Sequence, residues 1–483
     1  MSEEREALRE KLLSPRKNGY DRIKAEELQA MERYCGLYKT FLQQGKTERE
    51  CARVAVELAE KAGFKPYERG TALAAGDKIY RVNRDKSVML AVMGRESLAQ
   101  GAHIVAAHID SPRLDLKPNP LYEDSELAFF KTHYYGGIRK YQWVTIPLEL
   151  HGVVAKKDGT VVPVRLGEGD EAKFVITDLL PHLGGEQGKK PLNEAVPGES
   201  LNILLGSCPS GEEDEKDRVK MHILEKLFEK YGITEDDFTS AELEAVPAAQ
   251  PTDIGLDASL IGAYGHDDRV CGYAGLQAIL ELADPTKTAV CMLADKEEIG
   301  SMGVTGMQSA AFDTFMHDLC DGQGVPLRAC YENSFCLSCD VTAAYDPNFP
   351  EVFEKRNAAF VNYGIGLCKY TGARGKSGAS DASAETVAYV RRVLDEADIR
   401  PVPAMDNRLL DHLLRRALGD QMALVEQQDA VGPQGGEVKV MQHHADMQLP
   451  AGGEPFEQTQ QVLLIVKVQR RGGLIHDHNI RVP

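Results

Sequence analysis

Apolar residues recur every three or four positions through AEELQAMERYCGLYKTFLQQG and again through ERECARVAVELAEKAG. That period marks one buried face of a helix, so residues 1–65 read as helical, with stops at Gly45 and Gly63. The period then shortens. KIYRVNRDKSVMLAVMG and QGAHIVAAHID are short, rich in Val and Ile, and read as strands. WVTIPLELHGVVAKKDGTVVPVRLG carries a KKDGT turn between two alternating runs, which predicts a hairpin. The acidic GEEDEKD (211–217) reads as a solvated loop, and VKMHILEKLFEKYG as an amphipathic helix ended by Gly232. Further on, CGYAGLQAILELA predicts a helix and TAVCMLAD a strand. CLSCD predicts another strand after a turn at Tyr331–Ser334, and ASAETVAYVRRVLDEA a helix capped at Ser380 and Asp381.

Strands that alternate with helices imply an α/β sandwich of three layers. Residues 1–119 and 256–483 carry that texture, and the mostly β piece 120–255 reads as a domain inserted into it. No internal repeat is visible.

Bulk properties narrow the function. At 483 residues the chain has room for two or three domains and a large core. A net charge of −18 with no basic stripe argues against a nucleic-acid partner. The charged start, MSEEREALREKLL, has no apolar signal region, and no apolar run approaches the ~18–20 residues that span a bilayer. A cytoplasmic protein is expected, and the ten scattered cysteines fit reduced thiols there. The lone CxxC, Cys336 and Cys339, has no second pair to form a zinc knuckle and reads as structural.

Chemistry enters where strands end. His108 and Asp110 close one strand, Glu297 and Glu298 follow another, and Asp340 ends CLSCD. Asp267 and Asp268 stand just before a helix. Taken singly, a pair of aspartates before a helix is an N-cap, a glutamate pair after a strand is a helix start, and His-x-Asp is a turn. Together they are harder to explain so, because ligands of open α/β sheets bind outside the carboxyl ends of the strands. Clustered carboxylates repel one another and resist burial unless a cation joins them. Imidazole plus carboxylates suits zinc, with cobalt or manganese as other divalent ions the set accepts. A pair of ions needs a bridging carboxylate, for which Asp267 is the choice and Asp268 the fallback. With Glu298 as a ligand, Glu297 is free to act as general base and Asp110 to orient the imidazole of His108.

HIDSPRLDLKP, GHDDRVCGYAGLQA, ADKEEIGSMGVTG and SCDVTAAYDPNFPE, in this order, resemble the M18 aminopeptidases, the aspartyl aminopeptidase family, and KYTGARGKSGASDASAE is similar to its bacterial branch. The resemblance covers roughly residues 10–399. It implies a peptidase with two zinc ions per subunit that removes N-terminal residues from peptides. It also implies a β-rich insert that mediates dimerisation, and assembly of the dimers into a dodecamer. Carried over by motif, His108, Asp267, Glu298 and Asp340 match metal ligands with Asp267 bridging, Glu297 the general base, and Asp110 the residue that orients His108. His182, in LLPHLGG, is similar to a histidine that the family's insert lends to a neighbouring subunit's site. The family name implies a preference for N-terminal Asp or Glu, which needs a cationic pocket; Lys369, Arg374 and Lys376 are the candidates.

The resemblance stops after Ile399. The family's tryptophan-containing segment, its run of four glycines and its Met-His motif, which holds the last ligand, have no counterpart; the single Trp is Trp143. His443 and His444 in VMQHHADMQ, and His476 and His478 in HDHN, are the substitutes at hand. A divergent, a rearranged and an out-of-frame end remain three readings of this tail. Beside the active peptidase stands the alternative of an impaired or non-catalytic M18-like subunit.

Overall fold

A computed structural model describes residues 3–14, 17–370, 381–397, 399 and 401–404. Helix α1 (Glu3–Leu12) precedes α2 (Ala25–Gln44) and α3 (Glu48–Lys61), which end next to the glycine stops that the periodicity predicts. A reciprocal cap starts α3: Thr47 Oγ1 accepts from Glu50 N at 3.2 Å, and Glu50 Oε2 accepts from Thr47 N at 3.3 Å. Strands β1 (Lys65–Pro66), β2 (Lys78–Asn83), β3 (Ser87–Val92) and β4 (Ala102–His108) follow.

The chain then leaves for a second sheet: β5 (Arg113–Asp124), β6 (Leu127–Tyr135), β7 (Leu148–Ala155), β8 (Val161–Leu166), β9 (Ile203–Gly206) and β10 (Ala241–Pro247). Strand β5 is already part of this sheet at Arg113, so it runs through the 119/120 change of texture. Helices α4 (Leu192–Ala195) and α5 (Arg218–Tyr231) belong to the same stretch, α5 ending at Gly232 in the left-handed conformation. After the short strands β11 (Thr252–Ile254) and β12 (Leu260–Gly262), the chain returns as α6 (His266–Glu281), β13 (Thr288–Ala294), α7 (Ala311–Gly322), α8 (Leu327–Glu332) and β14 (Phe335–Ser338). Among the described residues, strand β15 (Ile365–Cys368), helix α9 (Ala384–Glu396) and strand β16 (Pro401–Ala404) follow, with β15 and β16 paired in a separate two-stranded sheet.

The first sheet has the order β1-β2-β3-β13-β4-β14. Its last three strands, β13, β4 and β14, are mutually parallel, so their carboxyl ends share one edge. Both faces are buried, and alternate residues of one strand feed different cores. Val88, Leu90 and Val92 pack with α2, α3 and α6, while Met89 and Ala91 pack with Phe315, Met316 and Cys330 of α7 and α8. This is the expected three-layer arrangement. The second sheet, ordered β8-β7-β10-β5-β6-β9, is antiparallel throughout and covers its own core with α5. KKDGT closes the β7–β8 hairpin as predicted.

Buried ion pairs tie the start of α3 to the second sheet. Lys46 Nζ meets Glu149 Oε2 at 2.7 Å, His151 Nδ1 meets Glu50 Oε1 at 3.1 Å, and Arg113 meets Glu48 at 3.4 Å and Glu244 at 3.1 Å.

Two expectations need correction. Ser383, not Ser380 or Asp381, caps α9: a cap must stand directly before the first helical residue, and Ser383 Oγ accepts from Thr386 N at 3.1 Å. Ser380 itself lies outside the described residues. Tyr331 belongs to α8, and the turn before β14 starts at Asn333. Helices α7 and α8 had no clear signal, since their apolar residues sit among polar ones in short segments.

Gly265 illustrates how the backbone sets up α6. Its φ is +84°, and a Cβ there would lie 2.1 Å from Arg269 Nη1. Arg269 is buried and committed, donating from Nε to Ile109 O (3.0 Å) and from Nη2 to Lys46 O (3.1 Å). Gly265→Ala is therefore expected to cost about 1–3 kcal/mol, read as a lower denaturant midpoint. A midpoint equal to the parent's would show that Arg269 yields without loss.

Candidate metal centre

Each side chain of the site stands at the edge where β13, β4 and β14 end. His108 is the last residue of β4, in register with Ala294 at the end of β13. Three residues past Ala294, a tight turn entered through Lys296 at φ +70° presents Glu297 and Glu298. Asp340 follows the end of β14 by two residues. Asp267 and Asp268 precede the regular part of α6; their dihedral angles (φ −82°, ψ 112° and φ −111°, ψ 34°) are not helical. Ser111 Oγ donates to Asp267 O at 2.7 Å and pins that backbone to the segment after β4.

Three of these carboxylates, from Asp267, Glu297 and Asp340, converge on one nitrogen. His108 Nε2 lies 3.2 Å from Asp267 Oδ1, 3.7 Å from Glu297 Oε2 and 3.8 Å from Asp340 Oδ1. Ligand atoms of His108, Asp267 and Asp340 all fall within 4.8 Å of one another. On the opposite side of the ring, Nδ1 donates to Asp110, with the main-chain oxygen at 3.0 Å and Oδ1 at 3.3 Å. A metal bound here would displace the Nε2 proton while Nδ1 went on donating to Asp110, as a ligating imidazole requires. The imidazole is buried, whereas Asp267, Glu297 and Asp340 keep 37–50 % of their side chains exposed. The site thus has a closed floor and an open mouth.

Its electrostatics are those of carboxylates crowded without a counter-charge. Burial, then the charges of Asp340, Asp110 and Asp267, push Glu297 up to about 7, against the attraction of His108. Burial and Asp267 push Glu298 to about 9. Burial also drives Asp268 well above the usual carboxylate range, with the charges of Asp340 and Asp267 adding to it. Burial alone would lower His108, yet its bonds to Asp110 and Asp267 hold it well above its ordinary value.

A metal ion fits these residues. Glu298 Oε1 is buried with no hydrogen-bond partner, and neither oxygen of the fully buried Asp268 has one beyond the weak Cys271 thiol beside it. Buried carboxylate oxygens left this way are costly unless a cation compensates them. Imidazole and carboxylate donors are the set zinc accepts.

Other expected residues lie elsewhere. His182 is exposed in the loop between β8 and β9. Lys369 Nζ is engaged by Asp381 Oδ1 and Ala382 O, both at 2.9 Å. Arg374, Lys376, His443, His444, His476 and His478 fall outside the described residues. Cys336 and Cys339 are unlinked.

Sequence reasoning missed several supporting groups. Tyr135, from β6 of the second sheet, donates to Asp110 Oδ2 at 2.9 Å. His266, next to Asp267, is kept neutral by burial, which lowers it to about 4. It accepts from Tyr38 Oη at 3.0 Å and donates to Ile261 O at 3.1 Å. Spacing could signal neither side-chain pair, because Tyr135 and Asp110 lie 25 positions apart and Tyr38 and His266 228.

Comparison with known proteins finds relatives of one family. The profile of the family described as Aminopeptidase I zinc metalloprotease (M18) matches residues 41–403. A probable M18 family aminopeptidase 1 of Clostridium acetobutylicum is 48 % identical over 397 residues, which are 80 % of this chain and 85 % of the relative. A crystal structure of an M18 aminopeptidase from Thermotoga maritima superposes with a TM-score of 0.77 at 43 % identity, covering 82 % of this chain and 88 % of the other. Aminopeptidase I of C. acetobutylicum gives a TM-score of 0.77 at 44 % identity, with the same coverage of both chains. Among the described residues, no helix is long and apolar enough to cross a membrane. With its three-layer fold, an imidazole–carboxylate cluster at the strand ends and a family match over most of its length, the chain belongs to the M18 family of zinc aminopeptidases.

Proposed function

We propose that the cluster at the strand ends is a two-zinc peptidase centre, in which His108, Asp267, Glu298 and Asp340 hold the ions and Asp267 bridges them. The observation that carries this reading is the convergence of carboxylates on His108 Nε2 beside buried carboxylate oxygens that lack partners. When bound, zinc supplies Lewis-acid polarisation of the scissile carbonyl and makes water a readier nucleophile. Glu297, the open carboxylate 3.7 Å from His108 Nε2, takes a proton from the attacking water as its oxygen bonds to the carbonyl carbon. It then returns that proton to the amine as the C–N bond breaks. Asp110 keeps the His108 ring turned so that Nε2 faces the Asp267 and Asp340 carboxylates.

The substrate is a peptide with a free N-terminus. An acidic first residue would need a cation to receive it; Lys369 is engaged by Asp381, and Arg374 and Lys376 are the other candidates. Dimerisation through the second sheet and a larger homo-oligomer, with His182 lent to a neighbour's site, complete the proposal. A yeast protein sharing the fold, mApe1, forms a dodecamer.

One experiment addresses the core of this reading: zinc content per chain together with hydrolysis of matched peptides with free and acetylated N-termini. Two zinc ions and cleavage of only the free peptides are expected, and the same series with Asp, Glu, Leu and Ala in first position reads the preference. The second reading, an impaired subunit, draws on the end of the family match at residue 403. It predicts a folded oligomer that holds at most one zinc and releases no amino acid.

A further inference from the structure

The Asp110 carboxylate has four partners, and each of its oxygens serves two. Oδ1 accepts from Glu297 N at 3.2 Å and lies 3.3 Å from His108 Nδ1. Oδ2 accepts from Glu298 N at 3.2 Å and from Tyr135 Oη at 2.9 Å. One fully buried carboxylate therefore fixes the imidazole and, separately, the main chain that carries both glutamates. Of the four partners, Tyr135 alone comes from the second sheet.

Tyr135 is itself held firmly. Its ring is buried, and the Arg113 guanidinium stacks over it with Cζ 3.7 Å from the centroid. Arg113 in turn is gripped by Glu48, Asp115 and Glu244. The next residue, Gly136, has φ +68°, and a Cβ there would lie 3.1 Å from Glu298 Cβ, so the end of β6 runs directly against the glutamate segment.

We propose that Tyr135 is a positioning residue for the peptidase reaction, acting through Asp110 on both His108 and the Glu297–Glu298 turn. The proposal rests on the metal-centre reading above. A hydroxyl donating to an ionised carboxylate is among the stronger neutral-donor bonds, and it fixes the direction of Oδ2. Without it, that oxygen keeps one main-chain donor and the carboxylate gains freedom to swing, taking the imidazole and the glutamates out of register. Partners of this kind behind a ligating histidine are typically worth about 10–100-fold in metal affinity or activity.

The test is Tyr135→Phe in the full chain, which keeps the ring under Arg113 and removes only the hydroxyl. Zinc affinity, measured by chelator competition, is expected to fall about 10–100-fold. At saturating zinc, kcat should fall while KM stays close to the parent's, since Tyr135 touches no substrate. Asp110→Asn supplies the control: if Tyr135 acts through Asp110, adding Y135F to D110N changes zinc affinity less than twofold. Parental zinc affinity and kcat in Y135F, or additive losses in the double variant, overturn the proposal. So does a collapse of thermal stability in Y135F, which would make the hydroxyl a part of the scaffold. A parent chain that holds no zinc removes the metal-centre reading itself, and is seen before any variant is made.

Discussion

Glu297→Gln is expected to lower kcat by about 10²–10⁴-fold while leaving zinc content and KM near the parental values. The amide keeps the shape of the side chain but cannot accept the proton that must leave the attacking water. Glu297 suits that task because burial and its acidic neighbours raise its carboxyl to about 7, where proton uptake and release are both accessible near neutrality. The same crowding predicts a secondary effect: removing one carboxylate from a repelling cluster should leave the melting temperature of the metal-free variant equal to or above the parent's. Full kcat in Glu297→Gln would move the proton shuttle to another group. Loss of zinc together with activity would make Glu297 a ligand instead.

Chelation is expected to abolish activity and to destabilise the chain more at pH 8 than at pH 5.5. The sign follows from proton counting. Burial raises Glu297 to about 7 and Glu298 to about 9, against ~4.3 in an unfolded chain. Between those limits the folded metal-free chain holds protons that the unfolded chain has released, so its stability falls as pH rises. His108 works in the same direction. Burial opposes its charged form, but Asp110 and Asp267 raise it, so its contribution is complete below about 6.5. That contribution is lost as pH climbs through the raised value. Asp110 works oppositely, because its bonds to His108 and Tyr135 outweigh burial and lower it; that contribution disappears only in acid, below this window.

Zinc binds the ionised carboxylates and reverses the trend, adding about 4 kcal/mol when free zinc is ~1,000 times Kd. Melting temperatures with and without zinc at the two pH values check this. The zinc-induced rise should be larger at pH 8, and an equal or smaller rise there would refute the cation's role in relieving the cluster.

Much of the site was legible because its chemistry is local to short motifs. His108 and Asp110, Glu297 and Glu298, and Asp340 each stand just past an apolar strand, and a parallel arrangement brings such ends together. Asp267 Oδ1 lies 3.2 Å from His108 Nε2, nearer than the Glu297 and Asp340 oxygens. Lys369 shows the opposite case. A basic loop residue looked like a receptor for an acidic substrate, yet an aspartate twelve positions later engages it. Tyr135 is not legible in the sequence, because its partner Asp110 lies 25 positions away on another element.

By itself the sequence determined the period of each major element, the glycine stops at Gly45, Gly63 and Gly232, the β7–β8 hairpin and the residue types of the imidazole–carboxylate cluster. These depend on contacts between near neighbours, whose spacing is written in the chain. Only the tertiary structure decided that Asp110 serves four donors at once, that Arg269 and the Lys46–Glu149 and Arg113–Glu48 pairs tie helices to strands of the second sheet and the segment after β4, and that Tyr135 reaches Asp110 from the second sheet. Such contacts join residues tens to hundreds of positions apart. Their free energy comes from burial and mutual orientation, which exist only once the sheets have packed.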